Sequence, residues 1–273
     1  MPTRTGPART LPAGPAAPIR YEGAVNAFAT SSETPFDAWP QVRTPHPQDA
    51  EQLRARVAAQ PAAPEVSLSL VRHGETTTNA AGLFTGTTDV PLTVVGRLQA
   101  QDAGRALAGA AFDVGFASQL ARSSETLELM ARAGGLEVPH IIRDPRLSER
   151  SFGELERTAI RPRDPRLAVD LTLAPTGGES YISMTRRCLS FLLDLQRLAA
   201  RLHRPLAVLI CSHTGPMRVI TAILDETTDP VIVRERLFGN GEILQRSLRH
   251  IAWPAFAGGL PQGLADDLGS GER

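Results

Sequence analysis

The sequence contains no lysine, so all 29 of its basic side chains are arginines. This absence excludes a lysine Schiff base and a lysine–phosphate contact, and it leaves arginine as the side chain that carries permanent positive charge. A GC-rich coding bias accounts for the missing lysine. The 29 acidic residues balance the arginines, giving a formal net charge of zero. No overall field therefore favours nucleic acid or an anionic membrane as a partner.

Cysteine and long apolar runs are also scarce. Cys188 and Cys211 lie inside apolar periodic segments without metal-ligand spacing, which predicts buried free thiols in a reducing compartment. No uninterrupted apolar run reaches the roughly 20 residues that a membrane span needs, and the first residues form no apolar signal region. We therefore expect a cytoplasmic protein that binds neither membranes nor nucleic acid.

The chain of 273 residues, 42% of them hydrophobic, is long enough for one large domain with appendages. We predict an N-terminal extension at 1–64, a catalytic domain at 65–252 and a C-terminal tail at 253–273. The first twenty residues are rich in Pro, Ala and Thr and are expected to be mobile. The oligomeric state is left open, and a homo-oligomer is compatible with the sequence.

The extension also carries apolar residues that a mobile tail would not need. Phe28, Phe36 and Trp39 are spaced too irregularly for a helix, so we expect this part to lie across the domain surface or a second subunit. A disordered extension is the alternative. Residues 47–60 are helix-like, and the pattern predicts one apolar stripe made of Leu53, Val57 and Ala58.

Strands and helices alternate through the rest of the chain. This alternation predicts a mostly parallel sheet covered on both faces, a three-layer α/β/α sandwich. Helix 93–108 is predicted to begin after Thr93 and to direct Leu98, Ala103 and Leu107 inward. The predicted strands are 66–71, 114–117, 138–142, 206–211 and 242–248, and the other predicted helices are 123–133, 180–203 and 216–224.

The triplet Arg72-His73-Gly74 follows the first predicted strand of this series. Ligands of open α/β sheets bind at the carboxyl ends of the strands. A histidine there, beside an arginine and a glycine that permits close backbone approach, suits a nucleophilic imidazole that faces an anion. The triplet alone is a weak signal, since a histidine in a surface turn has the same appearance.

Further motifs follow in a fixed order: Leu83-Phe84-Thr85-Gly86, Asp89-Val90-Pro91-Leu92-Thr93, Ser118 with Arg122 and Thr126, Leu147-Ser148-Glu149, and Ser212-His213-Thr214-Gly215. With the first triplet, they resemble the histidine phosphatase superfamily, which includes the cofactor-dependent phosphoglycerate mutases and many phosphomonoesterases. The resemblance runs from about Val66 to about Arg249. It implies a phosphoglycerate mutase-like fold and a small phosphate ester as substrate. We expect neither a metal nor another cofactor.

The resemblance also implies roles for individual residues. His73 is expected to attack phosphorus and to form a phosphohistidine, while Arg72 and Arg122 hold the phosphoryl oxygens and His213 is a second imidazole ligand. A solvated arginine or a hydrogen-bonded bystander histidine is the ordinary alternative for any one of these groups. The resemblance further implies phosphate contacts from four other residues, Asn79, Thr85, Gly86 and Thr214, with Thr76 as a weaker candidate.

Cleavage of a phosphate ester also needs an acid, because an alkoxide leaves poorly without a proton. Glu149 matches the acidic residue that precedes a Phe-Gly or Tyr-Gly pair in the superfamily, here Phe152-Gly153. The alternatives are that Glu149 only pairs with Arg146 or Arg150 at the surface, or that another carboxylate supplies the proton. The candidates for that role are Glu75 and Glu154.

Departures from the mutase pattern favour the phosphatase branch. Mutases usually carry a tryptophan where this chain has Thr78, and a Gly-Leu-Asn-Lys run where this chain continues with residues 154–157 and no lysine. We therefore expect a metal-independent phosphomonoesterase. A phosphoglycerate mutase is the alternative, as is a catalytically silent relative that binds phosphate. The sequence does not name the substrate, and four arginines of the expected lid are candidate contacts: Arg157, Arg161, Arg163 and Arg166.

Overall fold

The computed structural model describes residues 34, 36, 39, 40, 49–160, 171–227 and 236–254. Its centre is a five-stranded sheet in the order β3-β2-β4-β1-β5. The pairs β1–β4, β2–β4 and β2–β3 are parallel, and β5 runs antiparallel to β1. The strands are β1 (Val66–Arg72), β2 (Val114–Ala117), β3 (Ile141–Arg143), β4 (Leu206–Ser212) and β5 (Ile243–Leu248).

The helices begin and end largely at the residues that the sequence predicts. Thr93 and Ser180 each accept a backbone N–H at a helix start, while Gly135 and His203 end helices in the left-handed region at φ 56° and 52°. The helices are α1 (Ala50–Ala58), α2 (Thr77–Ala80), α3 (Val94–Ala106), α4 (Ala121–Gly134), α5 (Tyr181–Leu202) and α6 (Thr214–Leu224).

Each face of the sheet has its own apolar core. On one face, Val71, Leu209 and Cys211 pack against residues of α3 and α4. On the other face, Leu70 and Ile210 belong to a larger cluster that includes apolar residues of α5 and α6. Because β1 and β4 are covered on both faces, their sequences read as continuous apolar runs. The predicted α/β/α sandwich with a mostly parallel sheet is confirmed.

The N-terminal extension contributes to the larger core. Phe36 and Trp39 are buried in it, together with Leu53 and Val57 of α1. Ala58 is exposed, so its predicted place on the apolar stripe of that helix is wrong, and the stripe consists of two residues one turn apart. Phe28 and the first twenty residues lie outside the described part of the chain, and the division at residue 64 stays a prediction.

Two other local predictions need correction. Leu98 is 51% exposed, because the buried face of α3 consists of the small residues Gly96, Ala100, Ala103 and Gly104. These residues let the helix approach other backbone closely: a Cβ on Gly96 would lie 2.0 Å from the carbonyl oxygen of Glu75. The predicted strand 138–142 is shorter and later, at 141–143, since Pro139 has no N–H to donate to a ladder.

Both cysteines are buried free thiols, and burial raises the pKa of each to about 12. Neither thiol therefore forms a reactive thiolate at neutral pH. Among the helices that the structure describes, none combines the length and the apolar character needed to cross a membrane.

Candidate active site

The carboxyl ends of three neighbouring parallel strands meet at one edge of the sheet. β1 ends at Arg72, which is paired with Ser212 at the end of β4, and β2 lies on the other side of β4. His73 and His213 therefore follow directly from adjacent strands, and their ring centroids are 4.9 Å apart. Arg122 enters the same region from the first turn of α4, just after β2. The fold thus brings together residues from three segments that are far apart in sequence.

His73 is held as a neutral imidazole with a defined tautomer. Its ring is buried, and Nδ1 lies 2.7 Å from the carbonyl oxygen of Gly74, which can only accept, so Nδ1 carries the proton. The other nitrogen, Nε2, is then unprotonated. Burial lowers the pKa of His73 well below 6.5, and the charges of Arg122 and Arg72 lower it further. The imidazole is therefore available as a nucleophile at neutral pH.

The glycine after His73 is required by packing. A Cβ on Gly74 would lie 2.1 Å from the carbonyl oxygen of Gly96 in α3, a distance that no side chain could tolerate. The Gly74 N–H donates to Thr126 Oγ at 3.1 Å, which ties the loop to α4. The loop that orients His73 is therefore fixed against two helices.

His213 is oriented by Ser118, the residue that follows β2. His213 Nε2 lies 2.7 Å from Ser118 Oγ, which also accepts the N–H of Leu120 at 3.2 Å. If the hydroxyl donates to Nε2, its own proton is satisfied and Nδ1 of His213 is the protonated nitrogen. Burial, followed by the charge of Arg122, lowers the pKa of His213 well below 6.5. This imidazole is therefore neutral, and in that tautomer Nδ1 is a donor.

Two arginines surround the imidazoles, and each is anchored through its terminal nitrogens. Arg72 Nη1 donates to the carbonyl of Phe238 at 2.5 Å. Arg122 donates from Nη1 to Thr88 O at 2.9 Å and from Nη2 to Gly86 O at 2.7 Å. Burial lowers the pKa of both arginines, whereas the charge of Glu149 opposes that shift. Both guanidinium groups remain charged at neutral pH.

Three buried donor atoms of this region have no hydrogen-bond partner. They are the Nε atoms of Arg72 and Arg122 and the Nδ1 atom of His213. A buried unpaired donor costs free energy, and such atoms are uncommon in native proteins. An anion that accepted from all three would remove this cost.

Glu149 lies at the N-terminus of α6, beside the two arginines on which its charge acts. Its carboxylate accepts the N–H of Gly215 at 3.1 and 3.3 Å, and Oε1 accepts the N–H of Arg150 at 2.8 Å. A carboxylate is favoured at the positive end of a helix. Glu149 is half-buried and positioned by backbone groups.

The alternative partners and acids lie in other environments. The Arg146 side chain pairs with Asp144 and Asp194, and the guanidinium of Arg150 lies 4.5 Å from the ring centroid of Tyr181. Glu75 accepts the hydroxyl of Thr93 at 2.7 Å at the start of α3. Glu154 is exposed.

The remaining candidate residues are Asn79, Thr85, Gly86 and Thr214. Asn79 Oδ1 accepts Thr76 N at 3.2 Å and Thr76 Oγ at 2.9 Å, so its oxygen caps α2 and Thr76 is the N-cap. Thr85 Oγ lies 2.5 Å from Thr78 Oγ in a buried pair. Gly86 has φ 57°, and its carbonyl accepts from Arg122. Thr214 is the first residue of α6 and is half-buried.

The expected lid is described only in part. Arg161, Arg163 and Arg166 lie outside the described residues. Arg157 is exposed and adopts a left-handed backbone conformation at φ 63°.

Two further residues support the site, and the sequence analysis did not identify them. Glu156 accepts the backbone N–H of Thr87 and of Thr88 at 2.9 Å each, and both of their hydroxyls. It thereby holds the loop whose carbonyls anchor Arg122. Asn240 donates from Nδ2 to the carbonyl of His73 at 2.9 Å. No local pattern marks either residue, because each partner is distant in sequence.

Comparison with known proteins identifies the family of this fold and site. The sequence profile of the histidine phosphatase superfamily (branch 1) matches residues 68–246. The chain belongs to this superfamily. Because that match covers most of the chain, the resemblance seen in the sequence is confirmed.

Some relatives of the chain are named as mutases and others as phosphatases. The chain is 30% identical over 189 residues to a 2,3-bisphosphoglycerate-dependent phosphoglycerate mutase of Nitrobacter hamburgensis, covering 66% of this chain and 90% of that one. It is 33% identical over 166 residues to phosphoglycerate mutase 2 of Gloeobacter violaceus, covering 58% and 75%. A solved Escherichia coli structure, provisionally described as an alpha-ribazole-5'-P phosphatase, has a TM-score of 0.56 and 27% identity, covering 68% and 93%.

The described residues contain no group of three or more His, Cys, Asp and Glu side chains that could hold a metal ion. The charged groups around His73 are instead the guanidinium groups of Arg72 and Arg122 and the Glu149 carboxylate. This arrangement can bind a phosphate group through cationic and neutral donors.

Proposed function

We propose that this protein is a metal-independent phosphomonoesterase that hydrolyses a small phosphorylated metabolite through a phosphohistidine on His73. The observation that carries the proposal is the set of three buried, unpaired donors around a neutral imidazole: Arg72 Nε, Arg122 Nε and His213 Nδ1. A phosphate group bound there would satisfy these donors and place phosphorus next to the unprotonated nitrogen of His73.

In the first step, the lone pair of His73 Nε2 forms a bond to phosphorus while the bond between phosphorus and the leaving oxygen breaks. Protonated Glu149 gives its proton to that oxygen, so that an alcohol leaves instead of an alkoxide. The fixed donors of Arg72, Arg122 and His213 stabilise the charge on the non-bridging oxygens in the transition state.

In the second step, water attacks phosphorus and the Glu149 carboxylate takes one of its protons. The P–N bond breaks, inorganic phosphate leaves, and His73 returns to its neutral form. The proton that Glu149 gives to the leaving group in the first step is replaced by a proton from water in the second step. Both Glu149 and His73 thus return to their starting states.

Phosphoglycerate mutase activity is the second candidate, and two observations favour it. The relatives described above with 30% and 33% identity carry that name, and the Leu83-Phe84-Thr85-Gly86 motif resembles the mutase sequence. Thr78 and the absence of lysine support the phosphatase instead. The hydroxyl of Thr78 pairs with that of Thr85, and a tryptophan has no hydroxyl to take part in such a pair.

One set of assays separates the candidates. A panel of sugar, nucleotide and carboxylate phosphates is tested for release of inorganic phosphate, and phosphoglycerate is tested for conversion between its isomers. The phosphorylated intermediate is trapped with a labelled phosphate. Because phosphohistidine hydrolyses in acid, the labelled protein is digested and its peptides are mapped under alkaline conditions. Phosphate release with label on His73 supports the proposal. Isomer conversion faster than hydrolysis would indicate a mutase, and neither turnover nor labelling would indicate a silent phosphate-binding relative.

A further inference from the structure

The N-terminal extension contributes a tryptophan to the interior of the catalytic domain. Trp39 is 3% exposed, and its ring centroid lies 4.6 Å from that of Phe116 in β2 and 5.5 Å from that of Phe191 in α5. Its indole nitrogen Nε1 donates to Asp144 Oδ2 at 3.0 Å. Trp39 precedes the region that matches the superfamily, residues 68–246. This contact therefore joins a residue outside the matched region to one inside it.

Asp144 is the centre of a buried ionic network. Besides the indole, its carboxylate accepts the backbone N–H of Arg146 at 2.9 Å and the Arg146 side chain at 2.7 to 3.2 Å. Burial opposes the charge of Arg146, but the hydrogen bonds that it donates to Asp144 and Asp194, together with their charges, outweigh burial and raise the pKa of the guanidinium. The backbone contact caps the 3-10 turn Pro145–Leu147. Asp144 therefore fixes both the side chain and the backbone of this turn.

A second residue of the extension reaches the same network. Arg146 Nη1 donates to Asp194 Oδ2 at 2.5 Å, and Asp194 Oδ1 accepts Nη2 of Arg56 in α1 at 2.7 Å. Arg56 also donates to Ser190 Oγ at 2.9 Å. Arg56, Asp194, Arg146 and Asp144 are thus linked in one hydrogen-bonded network. Its two positive and two negative formal charges balance.

The capped turn leads directly to the proposed acid. The carbonyl of Arg146 accepts Arg187 Nη1 at 2.6 Å, and the carbonyl of Leu147 accepts Ser212 Oγ at 2.7 Å. Glu149 follows two residues later, where Gly215 N–H holds its carboxylate. The path of the chain into Glu149 is therefore set by three successive contacts.

We infer that Trp39 is a positioning residue for Glu149, acting through its hydrogen bond to Asp144 and the turn that Asp144 caps. The inference rests on the proposed role of Glu149 as the general acid. Loss of the indole N–H removes one of the donors that fix Asp144, so the turn can shift. Proton transfer depends on sub-ångström placement of the donor, so a small shift lowers the rate of steps that need the acid.

The test uses the full chain with Trp39→Phe, which keeps an aromatic ring in the core but removes the N–H. Rates are measured with an alkyl phosphate, whose leaving group needs a proton, and with p-nitrophenyl phosphate, whose leaving group barely does. We expect kcat for the alkyl phosphate to fall by about fivefold and kcat for p-nitrophenyl phosphate to change by less than about twofold.

The matched control is Phe36→Leu, another buried aromatic of the extension, whose ring lies 5.0 Å from that of His140. It should lower the thermal midpoint and leave the ratio of the two rates unchanged. A lower thermal midpoint without a change in this ratio would indicate loss of packing only. A change in the ratio would indicate that proton transfer from the general acid is impaired.

Two results would overturn the inference. If Trp39→Phe lowers both rates equally, or lowers only the thermal midpoint as Phe36→Leu does, Trp39 is a packing residue. The variant Glu149→Gln is run alongside to separate this failure from that of the proposed function. If Glu149→Gln lowers the rate with the alkyl phosphate more than the rate with p-nitrophenyl phosphate, and Trp39→Phe does not, only the inference about Trp39 is wrong. If Glu149→Gln lowers the rates with both substrates equally, Glu149 is not the general acid and the inference about Trp39 is wrong as well.

Discussion

Ser118 Oγ lies 2.7 Å from His213 Nε2, across the ends of the adjacent parallel strands β2 and β4. The same oxygen accepts the N–H of Leu120. When the hydroxyl donates to Nε2, Nδ1 of His213 carries the ring proton, and this nitrogen has no partner. A serine at the end of one strand thus contacts a histidine at the end of the next and, as the donor, fixes its tautomer.

Replacing Ser118 should therefore weaken catalysis without removing any group that touches phosphate. In Ser118→Ala, His213 loses the contact that fixes its tautomer and ring orientation, and we expect kcat to fall by about tenfold. Ser124→Ala removes another buried serine hydroxyl, one that is bonded to the carbonyl of Ser118 instead. Steady-state rates of the two variants are compared. A kcat for Ser118→Ala no lower than that of Ser124→Ala would contradict the assignment.

His73→Ala should abolish turnover and leave the fold intact, because it removes the atom that carries the phosphoryl group in the proposed mechanism. Activity is measured as phosphate release, and folding by circular dichroism. The control is His250→Ala, which changes an exposed histidine and should retain wild-type activity. Residual activity of His73→Ala within about tenfold of wild type, about 1.4 kcal/mol in the barrier, would be incompatible with a covalent mechanism.

Glu149→Gln keeps the size of the side chain but cannot donate a proton. We expect a loss of about a hundredfold or more with alkyl phosphates and a much smaller loss with p-nitrophenyl phosphate. The comparison variant is Glu154→Gln, an exposed residue of the same loop region, which should lose little with either substrate. Equal losses on both substrates would mean that another group is the acid, with Glu75 the next residue to test.

The pKa of His73 and of His213 is lowered well below 6.5, first by burial and then by the charge of Arg122. Both rings stay neutral in the folded protein at a pH where they would be protonated in the unfolded chain. The unfolded state therefore binds more protons below about pH 6.5, and the free energy of unfolding falls there by up to about 1.4 kcal/mol per pH unit for each histidine.

This dependence is measured by urea unfolding between about pH 7.5 and about pH 5. His73→Ala should show a shallower loss of stability on acidification than the wild type, because one buried histidine is missing. His250→Ala, which removes an exposed histidine, should follow the wild-type curve. Parallel curves for wild type and His73→Ala would show that the ring is protonated in the folded state.

A chelator should leave the rate unchanged, since in the proposed mechanism the arginine and histidine donors provide the positive charge and hydrogen bonds that the phosphate needs. Vanadate should inhibit strongly, because it adopts the five-coordinate geometry of phosphorus in the transition state. Both effects are measured on the same substrate, with and without added magnesium. Loss of activity on chelation that magnesium restores would contradict the metal-independent mechanism.

The sequence by itself determined the layered fold and the central residues of the site. The apolar run before Arg72 and the one before His213 predicted buried strands, and Thr93 and Ser180 marked helix starts through their capping hydroxyls. These signals are local, because strand and helix periods repeat within a few residues. Parallel strands then bring their carboxyl ends to one edge, which joins the motifs around His73 and His213.

Tertiary structure alone decided which residues support the site and which apolar residues stay exposed. Trp39 and Asp144 are 105 positions apart, and Asn240 lies 167 positions from His73, so no local pattern couples them. Leu98 fits a helix period but is exposed, because glycine and alanine form the face of α3 that packs closely against its neighbours. Such contacts depend on the distance between packed elements, which is a property of the assembled fold and not of any segment.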